Sequence, residues 1–142
     1  MNQDQETLLQ SEDQQTKILQ ASRVGPPQIP GYELQLLLGT GSYGQVWGGL
    51  QKSTGQRVAV KVFGERCQED LDYVRRELDR LKEVADHPSV VGLLDANLDH
   101  HPAFFVMPWL AQSLSQRVRA GKTTMSELAE WMKELAAGLQ QI

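Results

Sequence analysis

The sequence predicts an α+β fold: short hairpin-linked strands with one helix packed on them, followed by a helical last third. Three observations carry that expectation. Between Tyr32 and Met107, runs rich in β-branched and aromatic residues alternate with glycine turns and polar stretches. One amphipathic segment interrupts them, its apolar residues Leu71, Val74, Leu78, Leu81 and Ala85 recurring at spacings of three and four. Beyond Ser113 the remaining pattern is helical, with a cap signal at the head of each helix.

Residues 1–30 read as a polar N-terminal arm. Gln3, Gln5, Gln10, Gln14, Gln15, Gln20 and Gln28 crowd it, and apolar residues are sparse. Leu8, Leu9, Ile18 and Leu19 could line one side of a short helix, either solvated or docked on the domain as a regulatory element. Gly25, Pro26, Pro27, Pro30 and Gly31 then break regular structure.

Tyr32–Leu38 reads as the first strand, Gln45–Leu50 as the second and Arg57–Phe63 as the third, entered through the Thr54-Gly55 turn. Period two puts Ala59 and Lys61 on one face of that third strand, alternating with Val58, Val60 and Val62. The amphipathic helix follows and ends at His87-Pro88. Val90–Leu94 and Phe104–Met107 read as two more strands, joined by the polar stretch Asp95–Pro102. Ser113 caps a short helix that closes at Gly121, and Thr124-Met125-Ser126-Glu127 has capping-box spacing at the head of a longer one. Leu128, Trp131, Met132, Leu135, Leu139 and Ile142 give that longer helix a broad apolar face. Gly138 lies inside the pattern, and the sequence stops at Ile142 without a turn or polar exit signal.

Composition narrows the function classes. The 142 residues leave room for one ordinary domain, and 14 Lys+Arg against 18 Asp+Glu give a net charge of −4. A nucleic-acid or anionic-membrane binder would show a basic excess instead. The apolar run Ala103–Ala111 is interrupted by Pro108 and falls far short of the roughly 20 residues a membrane span needs. The first residues lack the basic-then-apolar layout of a secretory signal. Cys67 is the only cysteine, which excludes an internal disulfide and leads us to expect a reduced, cytoplasmic setting with a buried, inert thiol.

Gly39-Thr40-Gly41-Ser42-Tyr43-Gly44 is a G-x-G-x-x-G. Alone the motif fits two unrelated nucleotide folds or a ligand-free turn. A dinucleotide fold needs a helix to start within it, but the next residues include Gly48-Gly49, which would cost a helix roughly 2 kcal/mol against alanine. The motif therefore belongs to a hairpin. There the glycines either let backbone amides approach phosphate oxygens, or serve a turn that needs positive φ. Lys61, flanked by valines, must reach solvent or an anionic partner. Glu77 falls at the edge of the helix's buried stripe, where it can reach a neighbouring strand or pair with Arg80 on its own helix. Gly121-Lys122-Thr123 has the ending of a P-loop, but the required first glycine would fall at Gln116.

The loop Gly39–Gly44 with Val46, the run Val58-Ala59-Val60-Lys61, and Glu77 together resemble the N-terminal half of a protein kinase domain. The class is the eukaryotic-like, bacterial-type serine/threonine kinases. His87-Pro88-Ser89-Val90-Val91 resembles the His-Pro-Asn-Ile-Val run before the fourth strand of that family. Phe104-Phe105-Val106-Met107 resembles the fifth strand with its gatekeeper, and Gln112-Ser113-Leu114 the Gly-Ser-Leu of the next helix. Pro30-Gly31-Tyr32-Glu33-Leu34 is similar to the opening of bacterial members. The resemblance covers roughly residues 31–142.

It implies a smaller lobe, a five-stranded antiparallel sheet plus one helix, followed by the first helices of a truncated larger lobe. It also implies ATP with Mg²⁺ and a protein substrate as partners, with no nucleic acid. Leu38, Gly39, Thr40, Gly41, Ser42, Tyr43 and Gly44 would cover the nucleotide, while Val46 and Ala59 sandwich the adenine. Lys61 would hold the α- and β-phosphates and be held by Glu77. Met107 would guard the back of the pocket, and the backbone at Pro108 and Leu110 would pair with the base edge. The family usually has an acidic or polar residue at the position of Pro108, and Trp109 is unusual in its hinge. The His-Arg-Asp loop and the Asp-Phe-Gly metal ligand do not occur in these residues. The expectation is therefore a fragment that ends just before its catalytic loop and carries no Mg²⁺ ligand. The alternative is a non-catalytic, pseudokinase-like module that binds nucleotide or a partner; a dinucleotide-dependent oxidoreductase is disfavoured by the hairpin.

Overall fold

A computed structural model describes residues 15–17, 19, 20, 23–65 and 71–140. Leu8, Leu9, Ile18, Cys67 and Ile142 lie outside the described residues, and with them the expected thiol burial and most of the arm's apolar stripe. Of that stripe Leu19 is described, and it is exposed.

Alternating apolar residues and glycine turns fold into strands β1 (Tyr32–Gly41), β2 (Gly44–Gln51) and β3 (Arg57–Phe63). Helix α1 (Leu71–Glu83) follows, then β4 (Asp95–Asn97) and β5 (Phe104–Pro108). All pairings are antiparallel, in the order β1-β2-β3-β5-β4. The expected five-stranded sheet with one helix is thus present.

Period two sorts β3 as expected. Val58, Val60 and Val62 join Tyr32, Leu34, Leu37, Trp47, Phe104 and Val106 in one core. On the opposite face Phe63 and Phe105 pack with Val74 and Leu78 of α1, and Leu71, Leu81, Leu93 and Ala96 fill in around them. The spacing of α1's apolar residues therefore buries one stripe against the sheet, while Asp72 in its first turn and Arg80 and Lys82 in its last complement the helix dipole.

The sheet is strongly curled. A flat sheet would separate its edge strands β1 and β4 by about 19 Å, at roughly 4.8 Å per strand. Yet the Tyr32 hydroxyl, at the start of β1, donates a hydrogen bond of 2.8 Å to Oδ2 of Asp95 at the start of β4. Burial, together with this carboxylate, pushes the Tyr32 hydroxyl up to about 12.

One expected strand is displaced. Val90–Leu94 is not a strand, and the ladder begins at Asp95, within the stretch that reads as a loop. The Leu94 N–H donates to Val106 O at 2.8 Å and sets the register Asp95↔Val106, Ala96↔Phe105, Asn97↔Phe104. The apolar residues upstream are used for packing between elements instead: Leu93 joins the α1 core, and Val90 and Val91 line a groove facing the last helix. A short edge strand flanked by Asp95 and Asn97 has little hydrophobic signal to find.

After β5 come α2 (Leu114–Arg119) and α3 (Met125–Leu139), both opened by full capping boxes. Ser113 pairs with Gln116, and Thr124 with Glu127. The Thr124 N–H bond, followed by the Thr124 hydroxyl, holds the Glu127 carboxyl below the usual carboxylate range. Along α3, Leu128 and Trp131 are half-buried, whereas Met132, Leu135 and Leu139 are exposed. Gly138 is buried because a Cβ there would already touch Ser89, 3.3 Å away. No helix among the described residues is long and apolar enough to cross a membrane.

Candidate functional site

The site is built on the sheet face that carries α1. Residues paired across an antiparallel ladder share a face, so the register defines two rows. One row is Val46–Lys61–Phe105 and the next is Gly48–Ala59–Met107. Val46, Ala59, Lys61 and Met107, expected around one nucleotide, therefore lie on the same surface.

Lys61 does not simply snorkel to water. Its Nζ stands 3.5 Å from Oε1 of Glu77 on α1 and 5.2 Å from the centroid of the Phe63 ring. Glu77 thus reaches across to the strand, as its place at the stripe edge allows. Both side chains stay partly open, 26% and 37% exposed, so the ammonium is oriented by the carboxylate while remaining available to a second anion.

Beside this pair runs the glycine hairpin. Thr40 pairs with Gln45 and Gly41 with Gly44, leaving Ser42 and Tyr43 at the tip. The tip is tied down twice. Gly64 N–H donates to Tyr43 O at 3.3 Å, and the Tyr43 ring stacks on Tyr73 of α1, centroids 5.8 Å apart with 15° between planes. Leu38 sits at an irregularity in β1 and is 41% exposed.

The three glycines of the motif are not equivalent. Gly44 has φ +138° and a Cβ there would collide with Val62 O, so the turn itself requires glycine. Gly39 and Gly41 lack positive φ, and a Cβ on either would meet nothing within 4 Å. The fold does not require glycine at those two positions.

At the other end of the face the chain leaves β5 through Met107, Pro108, Trp109 and Leu110. Pro108 still pairs with Val58, and Leu110 is exposed at the rim of the groove of about 1050 Å³ between this segment and α3. Trp109 turns back under the sheet. Its ring lies where a Cβ of Gly48 would stand, in contact through Cζ3 and Cη2, and the Arg57 guanidinium covers it 4.8 Å from the ring centroid. Sequence reasoning missed this contact and the Tyr43–Tyr73 stack. The paired Gly48-Gly49 inside a strand was the available signal, since such glycines mark close approach of another group.

Among the described residues no three His, Cys, Asp or Glu cluster in a way that could hold a metal ion. The arrangement offers a polyanion a half-exposed, oriented ammonium and a glycine strand with open space above it, next to an apolar floor of Val46, Ala59 and Met107.

The family profile described as "Protein kinase domain" matches residues 32–142. Calcium-dependent protein kinase 5 of Plasmodium berghei is 27% identical over 138 residues, covering 95% of this chain and 22% of that protein. Mitogen-activated protein kinase 12 of Danio rerio is 32% identical over 113 residues, 74% of this chain and 31% of the relative. Serine/threonine-protein kinase PknA of Mycobacterium tuberculosis is 28% identical over 127 residues, 83% and 30% respectively. The chain spans less than a third of the length of each of these relatives. Its sheet, helix α1 and helices α2 and α3 correspond to the smaller lobe and the first larger-lobe helices of such a domain. The matched span, well over half of the chain, leads to one conclusion, that this chain belongs to the protein kinase domain family.

Proposed function

We propose that the chain is the ATP-binding part of a serine/threonine protein kinase, whose whole protein transfers the γ-phosphoryl group of ATP to a protein hydroxyl. The observation that carries this reading is the contrast within the glycine motif: Gly44 is demanded by the turn, while Gly39 and Gly41 leave room that nothing in the fold uses. A phosphate approaching the backbone amides supplies a reason for both. Lys61, oriented by Glu77, is the cation for the α- and β-phosphates, and Val46, Ala59 and Met107 form the apolar contacts of the base. The backbone at half-buried Pro108 and exposed Leu110 is assigned to the base edge. Mg²⁺ and the hydroxyl-orienting carboxylate enter no step assigned to these residues, because the family supplies them from motifs that this sequence does not contain. Bacterial-type membership rests on the Pro30-Gly31-Tyr32-Glu33-Leu34 opening, and a cytoplasmic setting on the lone cysteine.

The test is a calorimetric titration of the 142-residue chain with ATP, repeated with Lys61→Met. Saturable binding that weakens about tenfold or more in the variant, roughly the 1.5–3 kcal/mol of a charge-assisted contact, supports the reading. Equal affinity in the two proteins would remove Lys61 from the phosphate site.

A further inference from the structure

We propose that Phe63 is a positioning residue for Lys61: its ring draws the ammonium into place without adding negative charge, an inference that rests on the nucleotide reading above. Glu77 alone holds Lys61 loosely. The 3.5 Å between Nζ and Oε1 exceeds the roughly 2.7–2.9 Å of a tight charge-assisted hydrogen bond, and both side chains remain open to water. A second contact comes from the lysine's own strand. Lys61 and Phe63 stand two positions apart on β3 and so share a face, and the ammonium lies 5.2 Å from the ring centroid. That is inside the distance of about 6 Å at which a ring's quadrupole attracts a cation.

The ring itself is fixed. Phe63 is buried, its backbone N–H donates to Ala103 O at 2.9 Å, and its ring meets Phe105 edge-on, centroids 4.8 Å apart with 76° between planes. Val74 and Leu78 of α1, the helix that carries Glu77, belong to the same core. The ammonium is therefore set by one carboxylate and one immobile ring. A second carboxylate in place of the ring would turn the cluster net negative and repel a phosphate. An aliphatic side chain would fill the space without attracting the cation. The aromatic residue orients the ammonium and leaves its charge for the ligand.

The experiment measures ATP affinity by calorimetry for the 142-residue chain, Phe63→Leu, Lys61→Met and the double variant, and for a chain carrying a ring-trifluorinated phenylalanine in place of Phe63. Fluorination withdraws electron density from the ring face while nearly keeping its shape, so it separates attraction from packing even if Phe63→Leu folds poorly. Phe63→Leu and the fluorinated ring are each expected to weaken ATP binding about two- to fivefold, the scale of a partly solvated cation–ring contact. In the Lys61→Met background, Phe63→Leu is expected to change affinity less than about 1.5-fold, because the ring acts through the ammonium. With Lys61→Met itself weakening binding, equal losses from Phe63→Leu in the two backgrounds, or wild-type affinity in the fluorinated chain, overturn the assignment of Phe63 and leave the nucleotide reading standing. Equal affinity in wild type and Lys61→Met, or absence of ATP binding to the wild type, overturns both.

Discussion

Lys61 and Glu77 meet at 3.5 Å from a strand and a helix, yet neither is buried enough for the pair to act as structural glue. Partly solvated ion pairs contribute about 0–1 kcal/mol to stability. Glu77→Gln is therefore expected to lower stability by less than about 1 kcal/mol in a urea melt. Its larger effect should fall on ATP affinity, about five- to tenfold, because the ammonium loses its orientation. A large melt shift with unaltered binding would make the pair structural.

The glycine motif gives a sharper contrast. Gly44→Ala forces an alanine into φ +138° and against Val62 O, and is expected to cost about 1–3 kcal/mol. Gly39→Ala and Gly41→Ala meet no neighbour and should leave stability unchanged or raise it by about 0.4–1 kcal/mol through the unfolded state. These two variants should nevertheless bind ATP at least about tenfold more weakly, since the added methyl occupies the phosphate approach. Melts and titrations on the same three proteins separate the two demands.

Tyr32 makes a pH-dependent contribution. Its hydroxyl titrates near 12 in the folded chain against 10.0 ordinarily, so folding favours the protonated form. The stability this provides is complete below pH 10 and is lost as pH rises towards 12. Tyr32→Phe should cost about 1 kcal/mol at neutral pH, the usual worth of one hydrogen bond. Urea melts from neutral to alkaline pH should show the two proteins' stabilities converging only above pH 10. A constant gap across that range would show that folding does not raise the Tyr32 pKa.

Tyr43 and Tyr73 link the hairpin tip to the helix that carries Glu77. Stacked aromatic pairs are coupled by about 0.5–1.5 kcal/mol. In a double-mutant cycle on ATP affinity, Tyr43→Ala and Tyr73→Ala are each expected to weaken binding about three- to tenfold, and the double variant little more than either. Additive losses would show that the tip and the helix act independently.

Much of this was legible because periodicity is a local property. Alternation in Val58–Phe63 gave both faces of β3, the stripe from Leu71 to Leu81 gave α1, and the Ser113 cap and the Thr124–Glu127 capping box gave the heads of α2 and α3. The Lys61–Glu77 pair was implied by the family resemblance, while the stripe-edge position of Glu77 left open both a neighbouring strand and Arg80. What was hidden depends on neighbours distant in the chain. The placement of β4 follows from which backbone reaches Val106, so the apolar run Val90–Leu94 misleads. The seat of Trp109 on Gly48 joins a hinge to a strand about sixty residues earlier, and local pattern carries no record of such pairings. The apolar face of α3 was legible, but not its burial: Leu128 and Trp131 are half-buried, while Met132, Leu135 and Leu139 are exposed.

The bond from Tyr32 to Asp95 joins residues 63 positions apart, and so has a bearing on the order in which the molecule assembles. Closing a loop of that length costs roughly 4 kcal/mol of chain entropy, more than the bond returns. It can form only once β2, β3 and β5 have paired and brought the outer strands round. Tyr32 should thus act as a late latch: loss of its hydroxyl is expected to speed unfolding while leaving the folding rate nearly unchanged.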